Sequence, residues 1–214
     1  MKKIVVFGAG GFGREVMYYL QEENPGYQIL GFVDDYTDLS ERAVDGHPVL
    51  GGKDWLLQRN EQVSVLVAIA NPEIRRAIVG DLIRKENLEF PSFITRDVYR
   101  ASDLIHGKGC IIVRKTVLTI NVRIGNFFLC NPSCTIGHDA IIDDYVTLYP
   151  SVNISGNVHV ENNVEVGVGS QILQGRTVGT GSILGAGAVV TKDIPSHCTA
   201  VGVPARIIKK RSFV

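Results

Sequence analysis

His138 is the side chain in this sequence best suited to acid–base chemistry, and an acid, Asp139, follows it directly. Imidazole exchanges a proton near neutral pH, so a histidine can take a proton from an attacking amine or hydroxyl group. A general base of this kind is worth roughly 10²–10⁴-fold in rate. Any group transfer in which an amine or hydroxyl is the nucleophile needs such a base, which makes His138 a candidate catalytic residue.

A glycine-rich turn near the start of the chain has the pattern of a phosphate-binding loop. The segment Gly8-Ala9-Gly10-Gly11-Phe12-Gly13 fits GxGxxG. Where side chains are missing, backbone N–H groups and a helix N-terminus can approach an anion closely. A tight strand–helix turn without a ligand would give the same pattern, so both interpretations are kept here.

The glycine turn belongs to a predicted βαβαβ unit. Apolar runs and apolar spacing predict strands over residues 4–7, 29–33 and 63–70, and helices over residues 14–22 and about 73–87. The second strand ends in Asp34-Asp35, about twenty residues past the glycines, where a dinucleotide fold places its ribose-binding acid. The unit stops near residue 100, too short for a second mononucleotide half, which favours a nucleotide-linked sugar over a nicotinamide cofactor.

The second half of the chain repeats with a period of six residues. From Ile112 to Val190 every sixth residue is apolar, fourteen in succession. The position two residues earlier is mostly small or β-branched, with Phe128 and Arg176 as exceptions. This period fits neither a helix nor a long strand, and it predicts short strands separated by corners. Five glycines follow the apolar position, where we expect them to supply positive φ angles: Gly125, Gly137, Gly167, Gly179 and Gly185.

Composition excludes several classes of function. The 214 residues contain 22 Lys and Arg against 22 Asp and Glu, so we expect no nucleic-acid or anionic-membrane binding through bulk charge. No apolar run reaches the roughly 18 residues of a membrane span, and the chain opens directly into a strand. We therefore expect a soluble, cytoplasmic protein, whose four cysteines are reduced thiols.

No metal site is expected. Cys130 and Cys134 fall at the two inward phases of the repeat, which predicts small buried side chains rather than metal ligands. The other histidines lie in a turn, at coil edges and in a closing loop, where surface positions are more common than catalytic ones: His47, His106, His159 and His197.

Together these features resemble the bacterial nucleotide-sugar acetyltransferases and the related sialic-acid O-acetyltransferases. The resemblance covers essentially the whole chain and rests on four segments: the glycine turn, Val33-Asp34-Asp35, Ala68-Ile69-Ala70-Asn71-Pro72-Glu73-Ile74-Arg75, and Asn131-Pro132-Ser133-Cys134-Thr135-Ile136-Gly137-His138-Asp139. It implies an α/β plus all-β chain, with a Rossmann-like domain over residues 1–100 and a left-handed parallel β-helix over residues 101–214. It also implies a homotrimer, whose flat faces suit cyclic symmetry.

The resemblance further implies roles for single residues. His138 matches the family's catalytic base, and Asp139 matches a neighbouring acid that orients it. In the family the first domain holds the nucleotide sugar, and Asn131 matches an asparagine near the sugar. The residues expected to bind this substrate are Gly8, Gly10, Gly11, Gly13, Asp34, Asp35, Asn71 and Asn131.

Coenzyme A lies along the β-helix between neighbouring subunits in that family. Gly156 matches a glycine whose N–H contacts the thioester carbonyl, which is oxyanion-hole chemistry. The segment ending at Arg206 looks like the closing segment of hexapeptide acyltransferases, and Arg206 and Lys209 would meet the phosphates of coenzyme A. A solvated chain end is the alternative. One departure is Thr147, where some relatives carry a second histidine and where a hydroxyl cannot act as a base.

We therefore expect a transferase that moves an acetyl group from acetyl-CoA to the amino group of a nucleotide-linked amino sugar destined for a surface glycan. The nearest alternative is O-acetylation of a sugar hydroxyl, as in the sialic-acid enzymes. A nicotinamide-binding oxidoreductase or sensor on a β-helical scaffold and a catalytically silent assembly protein are the alternatives from other classes.

Overall fold

The computed structural model describes residues 1–23, 26–36 and 43–211, which form two compact units, Met1–Ser92 and Phe93–Val214. The division lies earlier than the boundary predicted at residue 100, because Phe93 and Ile94 already pair with a strand of the second unit. Within the described ranges, no helix is long and apolar enough to cross a bilayer.

The first unit is a parallel sheet with helices. Its elements are β1 (Lys2–Phe7), α1 (Gly11–Glu23), β2 (Tyr27–Val33), β3 (Ala43–Val44), β4 (His47–Pro48), α2 (Lys53–Leu57), β5 (Val63–Val67), α3 (Pro72–Leu82) and β6 (Leu88–Glu89). Strands β2, β1, β5 and β6 lie side by side in that order and pair in parallel, whereas β3 and β4 form a separate antiparallel pair. The predicted Rossmann-like arrangement is confirmed.

Helix α1 begins earlier than predicted. It starts at Gly11 rather than Arg14, so the end of the glycine turn forms the first turn of the helix. The apolar spacing could not show this, because the first buried residue of the helix is Gly13, and buried apolar side chains begin only at Val16 and continue with Met17 and Leu20. Glycine is tolerated in the first helical turn, whose N–H groups have no partner within the helix.

Strand β5 and helix α3 are shorter than predicted. β5 ends at Val67, and beyond it the Arg75 guanidinium donates to the carbonyl oxygens of Ile69 and Ala70 at 2.6 and 3.0 Å, so these carbonyl groups bind a side chain rather than a neighbouring strand. Helix α3 ends at Leu82. Asn87, predicted as its end, instead donates from Nδ2 to two carbonyl oxygens of another loop.

The second unit is a left-handed parallel β-helix. Seventeen strands of two residues precede two longer ones: β7 (Phe93–Ile94), β8 (Tyr99–Arg100), β9 (Ile105–His106), β10 (Ile111–Ile112), β11 (Val117–Leu118), β12 (Arg123–Ile124), β13 (Leu129–Cys130), β14 (Thr135–Ile136), β15 (Ile141–Ile142), β16 (Thr147–Leu148), β17 (Asn153–Ile154), β18 (His159–Val160), β19 (Glu165–Val166), β20 (Gln171–Ile172), β21 (Thr177–Val178), β22 (Ile183–Leu184), β23 (Val189–Val190), β24 (Cys198–Val201) and β25 (Arg206–Lys210).

From β10 to β23, each strand stacks on the third strand before it, whereas β24 pairs with β22 and β25 pairs antiparallel with β24. Residues one coil apart therefore pair in parallel, as Ile112 does with Cys130 and Cys130 with Leu148. Every apolar residue of the period-six repeat is the second residue of a strand and is buried, which confirms the predicted short strands and their inward side chains. The same phase is polar at Arg100 and His106, so the sequence revealed the repeat only from the next coil onward.

The corners turn through residues with left-handed backbone. Fourteen of them lie six residues apart, from Gly109 to Gly187. The expectation that the five glycines after the apolar positions supply these angles is wrong, since none of them has positive φ. They lie two residues before the turning residue and permit close stacking of coils. A methyl group on Gly137 would come within 2.7 Å of the Gly156 nitrogen, and one on Gly167 within 2.6 Å of the Ala186 nitrogen.

Candidate active site

His138 lies at the corner between β14 and β15, and its neighbour Asp139 has the left-handed backbone of that corner, with φ 60°. This conformation turns the carboxylate back toward the ring. His138 Nδ1 lies 2.7 Å from Asp139 Oδ2, and the two side chains are 49% and 42% exposed. The pair is therefore preformed and accessible to a ligand.

The second oxygen of Asp139 is held by Asn121, one coil earlier. Asn121 Nδ2 donates to Asp139 Oδ1 at 2.6 Å. This bond, and next the bond from His138, lowers the pKa of Asp139 below its usual value. Because the carboxylate stays ionised, it favours a proton on Nδ1 and leaves the Nε2 lone pair free to accept one. The sequence did not single out Asn121, although it precedes Asp139 by 18 residues, which is the length of one coil.

Gly156 lies beside the His138 ring in the next coil. A side chain at Gly156 would collide with Nε2 and would come within 2.5 Å of Cε1, so the missing side chain makes room for the imidazole. Among the hydrogen bonds of the described residues, none uses the Gly156 N–H as a donor. The structure thus brings together His138, Asp139 and Gly156, three residues that the sequence singled out.

Asn131 and Thr147 are buried in the β-helix. Asn131 is 8% exposed, and both its backbone N–H and its Nδ2 donate to the Leu148 carbonyl oxygen, at 2.9 and 3.0 Å. Thr147 is fully buried. Asn131 thus joins two coils, and no hydrogen bond in the described part of the chain links it to His138.

The glycine turn contains two kinds of glycine. Gly8 has φ 109°, and a side chain there would lie 2.8 Å from Ile69 Cδ1. A methyl group on Gly13 would overlap the Gly8 carbonyl, 2.8 Å from its carbon. Gly10 and Gly11 are exposed, and a methyl group on either would meet no atom within 4 Å. Packing therefore explains Gly8 and Gly13, while Gly10 and Gly11 leave open space where an anion can approach the backbone.

The acids predicted to meet the nucleotide support the surrounding loops. Asp34 Oδ2 accepts from the Ala9 N–H at 2.6 Å, and Oδ1 accepts from the Tyr36 N–H at 2.8 Å. Asp35 Oδ1 accepts from the Lys53 N–H at 2.6 Å, at the start of α2. Asp34 thus binds the backbone of the glycine turn and fixes it, and its contact with a ribose or base stays a prediction.

Asn71 caps helix α3. Its Oδ1 accepts from the Ile74 N–H at 2.9 Å, and Pro72 occupies the first helical position. Such a cap contributes about 1 kcal/mol to helix stability. The side chain lies at the carboxyl end of β5, where open α/β sheets bind ligands, and its observed contact is structural.

Arg206 and Lys209 lie in β25, whose five residues are all exposed. The strand pairs antiparallel with β24 and presents cations to solvent. Exposed cations in a fixed strand suit a polyphosphate, which is the charged part of coenzyme A. The geometry of the strand is therefore compatible with the predicted contact to that co-substrate.

The cysteines and the remaining histidines form no metal site in the part of the chain that the structure describes. All four cysteines are free thiols and are buried, as was predicted for Cys130 and Cys134. His159 is a partly exposed surface residue, and its Nε2 lies 3.0 Å from Asp143 Oδ2. It forms a second, partly exposed His–Asp pair, which the sequence did not reveal because the two residues are far apart in the chain.

Comparison with known proteins identifies relatives over 97–98% of the chain. Residues 3–82 match the PglD N-terminal domain family. The comparison with curated protein sequences gave no significant match. WeeI from Acinetobacter baumannii AYE is 34% identical, with a TM-score of 0.88 over 97% of this chain and 100% of that one.

Two further structures contain ligands. The acetyltransferase domain of PglB from Neisseria gonorrhoeae FA1090, in complex with acetyl coenzyme A, is 32% identical, with a TM-score of 0.89 over 97% of this chain and 99% of that one. A histidine-to-asparagine mutant of perosamine N-acetyltransferase from Caulobacter crescentus, in complex with CoA and GDP-perosamine, is 26% identical, with a TM-score of 0.88 over 98% of each chain. The chain therefore belongs to the nucleotide-sugar N-acetyltransferases of the hexapeptide-repeat family.

Proposed function

We propose that this protein transfers an acetyl group from acetyl-CoA to the amino group of a nucleotide-linked amino sugar. The observation that carries the proposal is the His138–Asp139 pair, which is held at 2.7 Å on an accessible corner beside a glycine that makes room for the ring. The relatives with acetyl coenzyme A, and with CoA and GDP-perosamine, support the two substrate classes.

His138 acts as the general base in this proposal. With its Nδ1 proton directed at Asp139, Nε2 accepts a proton from the sugar amine. The amine nitrogen forms a bond to the thioester carbonyl carbon, the carbon–sulfur bond breaks, and the leaving coenzyme A thiolate takes the proton from Nε2, which restores the base. An ammonium group is no nucleophile, so Nε2 takes its proton either on binding or as the bond to carbon forms.

Other residues bind the two substrates in this proposal. The N–H of Gly156 donates to the thioester oxygen, which stabilises the negative charge that develops there. Arg206 and Lys209 bind the phosphates of coenzyme A. For the nucleotide sugar, Gly10 and Gly11 leave space for the diphosphate at the start of α1.

Four further residues complete the proposed substrate site. Asp34 keeps the glycine turn in its binding conformation. Asp35 meets the ribose or the base. Asn71, which caps α3, holds the end of β5 where the nucleotide sugar binds. Asn131 supports the sugar site from inside the β-helix by joining two coils.

The cellular setting is also part of the proposal. We propose a homotrimer in the cytoplasm, where acetyl-CoA and nucleotide sugars are available, and a role in the biosynthesis of a surface polysaccharide. Sedimentation of the purified protein tests the trimer.

The test of the activity is release of free thiol from acetyl-CoA in the presence of single sugars. The panel contains UDP-, GDP- and dTDP-linked amino sugars, the same sugars without nucleotide, and sialic acid. Thiol release only with nucleotide-linked amino sugars supports the proposal. Release with sialic acid, whose nitrogen is already acylated, would indicate O-acetylation and would contradict the proposal. Equal release with the sugars that lack the nucleotide, or no release with any member of the panel, would contradict it as well.

A further inference from the structure

Asn121 contacts the candidate dyad from the preceding coil. It lies at the corner equivalent to that of Asp139, and both residues have left-handed backbone, with φ 55° and 60°. Asn121 Nδ2 donates to Asp139 Oδ1 at 2.6 Å, while Asp139 Oδ2 faces His138 Nδ1 at 2.7 Å. Each oxygen of the carboxylate therefore has its own donor.

Asn121 is itself fixed by the coil before it. Its backbone N–H donates to Asp103 Oδ2 at 2.9 Å, and the Asp139 N–H donates to the Ile120 carbonyl oxygen at 3.2 Å. Asn is also among the residues that adopt left-handed backbone at low cost. Three successive coils thus form one chain of contacts, from Asp103 through Asn121 to Asp139 and its histidine.

We propose that Asn121 is a positioning residue that acts on His138 through Asp139. The side chain of Asp139 is 42% exposed, so water competes for its oxygens and an unsupported carboxylate can rotate away from the ring. The amide of Asn121 occupies one oxygen and directs the other at Nδ1. This fixes the imidazole proton on Nδ1 and keeps Nε2 available as the acceptor. Residues that hold the hydrogen-bond partner of a histidine are known to set its tautomer and ring orientation in this way.

The same amide bond also acts on the charge of Asp139. It is the largest cause of the lowered pKa of that carboxyl group. Asp139 therefore remains an acceptor for the Nδ1 proton throughout the neutral range. The contacts and the charge favour the same tautomer of His138.

Two substitutions test this role, which rests on the proposed function for its kinetic readout only. Asn121→Gly keeps the left-handed corner and removes the amide donor. Asn121→Asp keeps the shape and the corner but sets a carboxylate against Asp139. The matched control is Asn163→Gly, because Asn163 also occupies a left-handed corner, with φ 57°, at a different edge of the helix.

Both Asn121 variants should lower kcat about tenfold, with KM for acetyl-CoA and for the sugar unchanged. Nitrogen-15 NMR of the histidines provides a readout that needs no substrate. The Nδ1–H form of His138 should dominate in the wild type and in Asn163→Gly, and should lose population in both Asn121 variants. His138→Ala identifies the resonances.

Wild-type kcat and an unchanged tautomer in Asn121→Gly would overturn the inference. An equal loss of kcat in Asn163→Gly would overturn it as well, because the effect would then belong to the coil rather than to the dyad. If no sugar in the panel is acetylated by the wild type, the proposed function fails, and the NMR comparison still decides whether Asn121 positions His138.

Discussion

The imidazole ring of His138 lies against the backbone of Gly156, so closely that a side chain at Gly156 would come within 2.5 Å of Cε1 and 2.8 Å of Cδ2. The two residues belong to successive coils, which are joined at this corner by the Asn157 N–H and the His138 carbonyl oxygen at 2.8 Å. Gly156 has no positive φ, so its backbone does not require glycine. The space for the ring does require it.

Gly156→Ala should displace the imidazole while preserving the coil. A shift of about 1 Å at a reacting group costs on the order of a hundredfold in rate, so kcat should fall by about that factor. Thiol release measures kcat, and the melting temperature serves as the control for folding. Full activity in this variant would show that the ring does not work from the position described.

His138→Ala should lower turnover at least about a hundredfold, because the general base is lost. The matched control is His159→Ala, since His159 has similar exposure, 41% against 49%, and also pairs with an aspartate. Thiol release from acetyl-CoA measures both variants. Should the His159 variant lose as much activity as the His138 variant, the assignment of the base to His138 would be wrong.

Substitutions of two glycines in the N-terminal turn should have different effects, one on substrate binding and the other on stability. Gly10→Ala adds a methyl group where no atom lies within 4 Å, so the fold should persist while KM for the nucleotide sugar rises. Gly13→Ala would overlap the Gly8 carbonyl and should destabilise the first unit by about 3 kcal/mol. Urea unfolding and KM are the two measurements. An unchanged KM in a folded Gly10→Ala enzyme argues against phosphate binding at this turn.

Acid sensitivity should depend on Glu161. The backbone N–H of Thr180, and next its hydroxyl, donate to this carboxylate and lower its pKa. A carboxyl group with a lowered pKa stabilises the fold above its ordinary titration range, and that contribution disappears as pH falls through the folded-state value. Glu161→Gln should therefore show a smaller loss of melting temperature than the wild type between about pH 6 and about pH 3.

Thr119→Val provides the control for that comparison, because the Thr119 hydroxyl donates to a backbone carbonyl and to no carboxylate. Its melting temperature should follow pH in parallel with the wild type. An equal acid dependence in Glu161→Gln and the wild type would contradict the assigned cause.

Much of the fold could be predicted because the inward face of each strand repeats. The apolar residues from Ile112 to Val190 had to be buried together, and their period determines the length of the strands. The His138–Asp139 pair could also be predicted, because the two residues are adjacent in sequence. The period does not show why each glycine is needed. A position that needs positive φ and a position that needs close stacking of coils are both occupied by glycine.

The contacts between coils were harder to predict. Asn121 and Asp139, or His159 and Asp143, meet only after the chain has wound once, and nothing local in the sequence indicates that their side chains turn toward each other. Asn131 shows the converse. The resemblance placed it near the sugar, and the structure shows that its amide lies inside the β-helix and joins two coils.

The even spacing of the left-handed corners constrains how a chain of this kind can change in length. With strands of only two residues, one inserted residue would move every later aliphatic side chain off the inner face. Insertion or loss of a complete coil keeps the inward residues in place, because every coil has the same strand register. The length of the β-helix, and with it the distance from His138 to the basic strand β25, can therefore change only by whole coils.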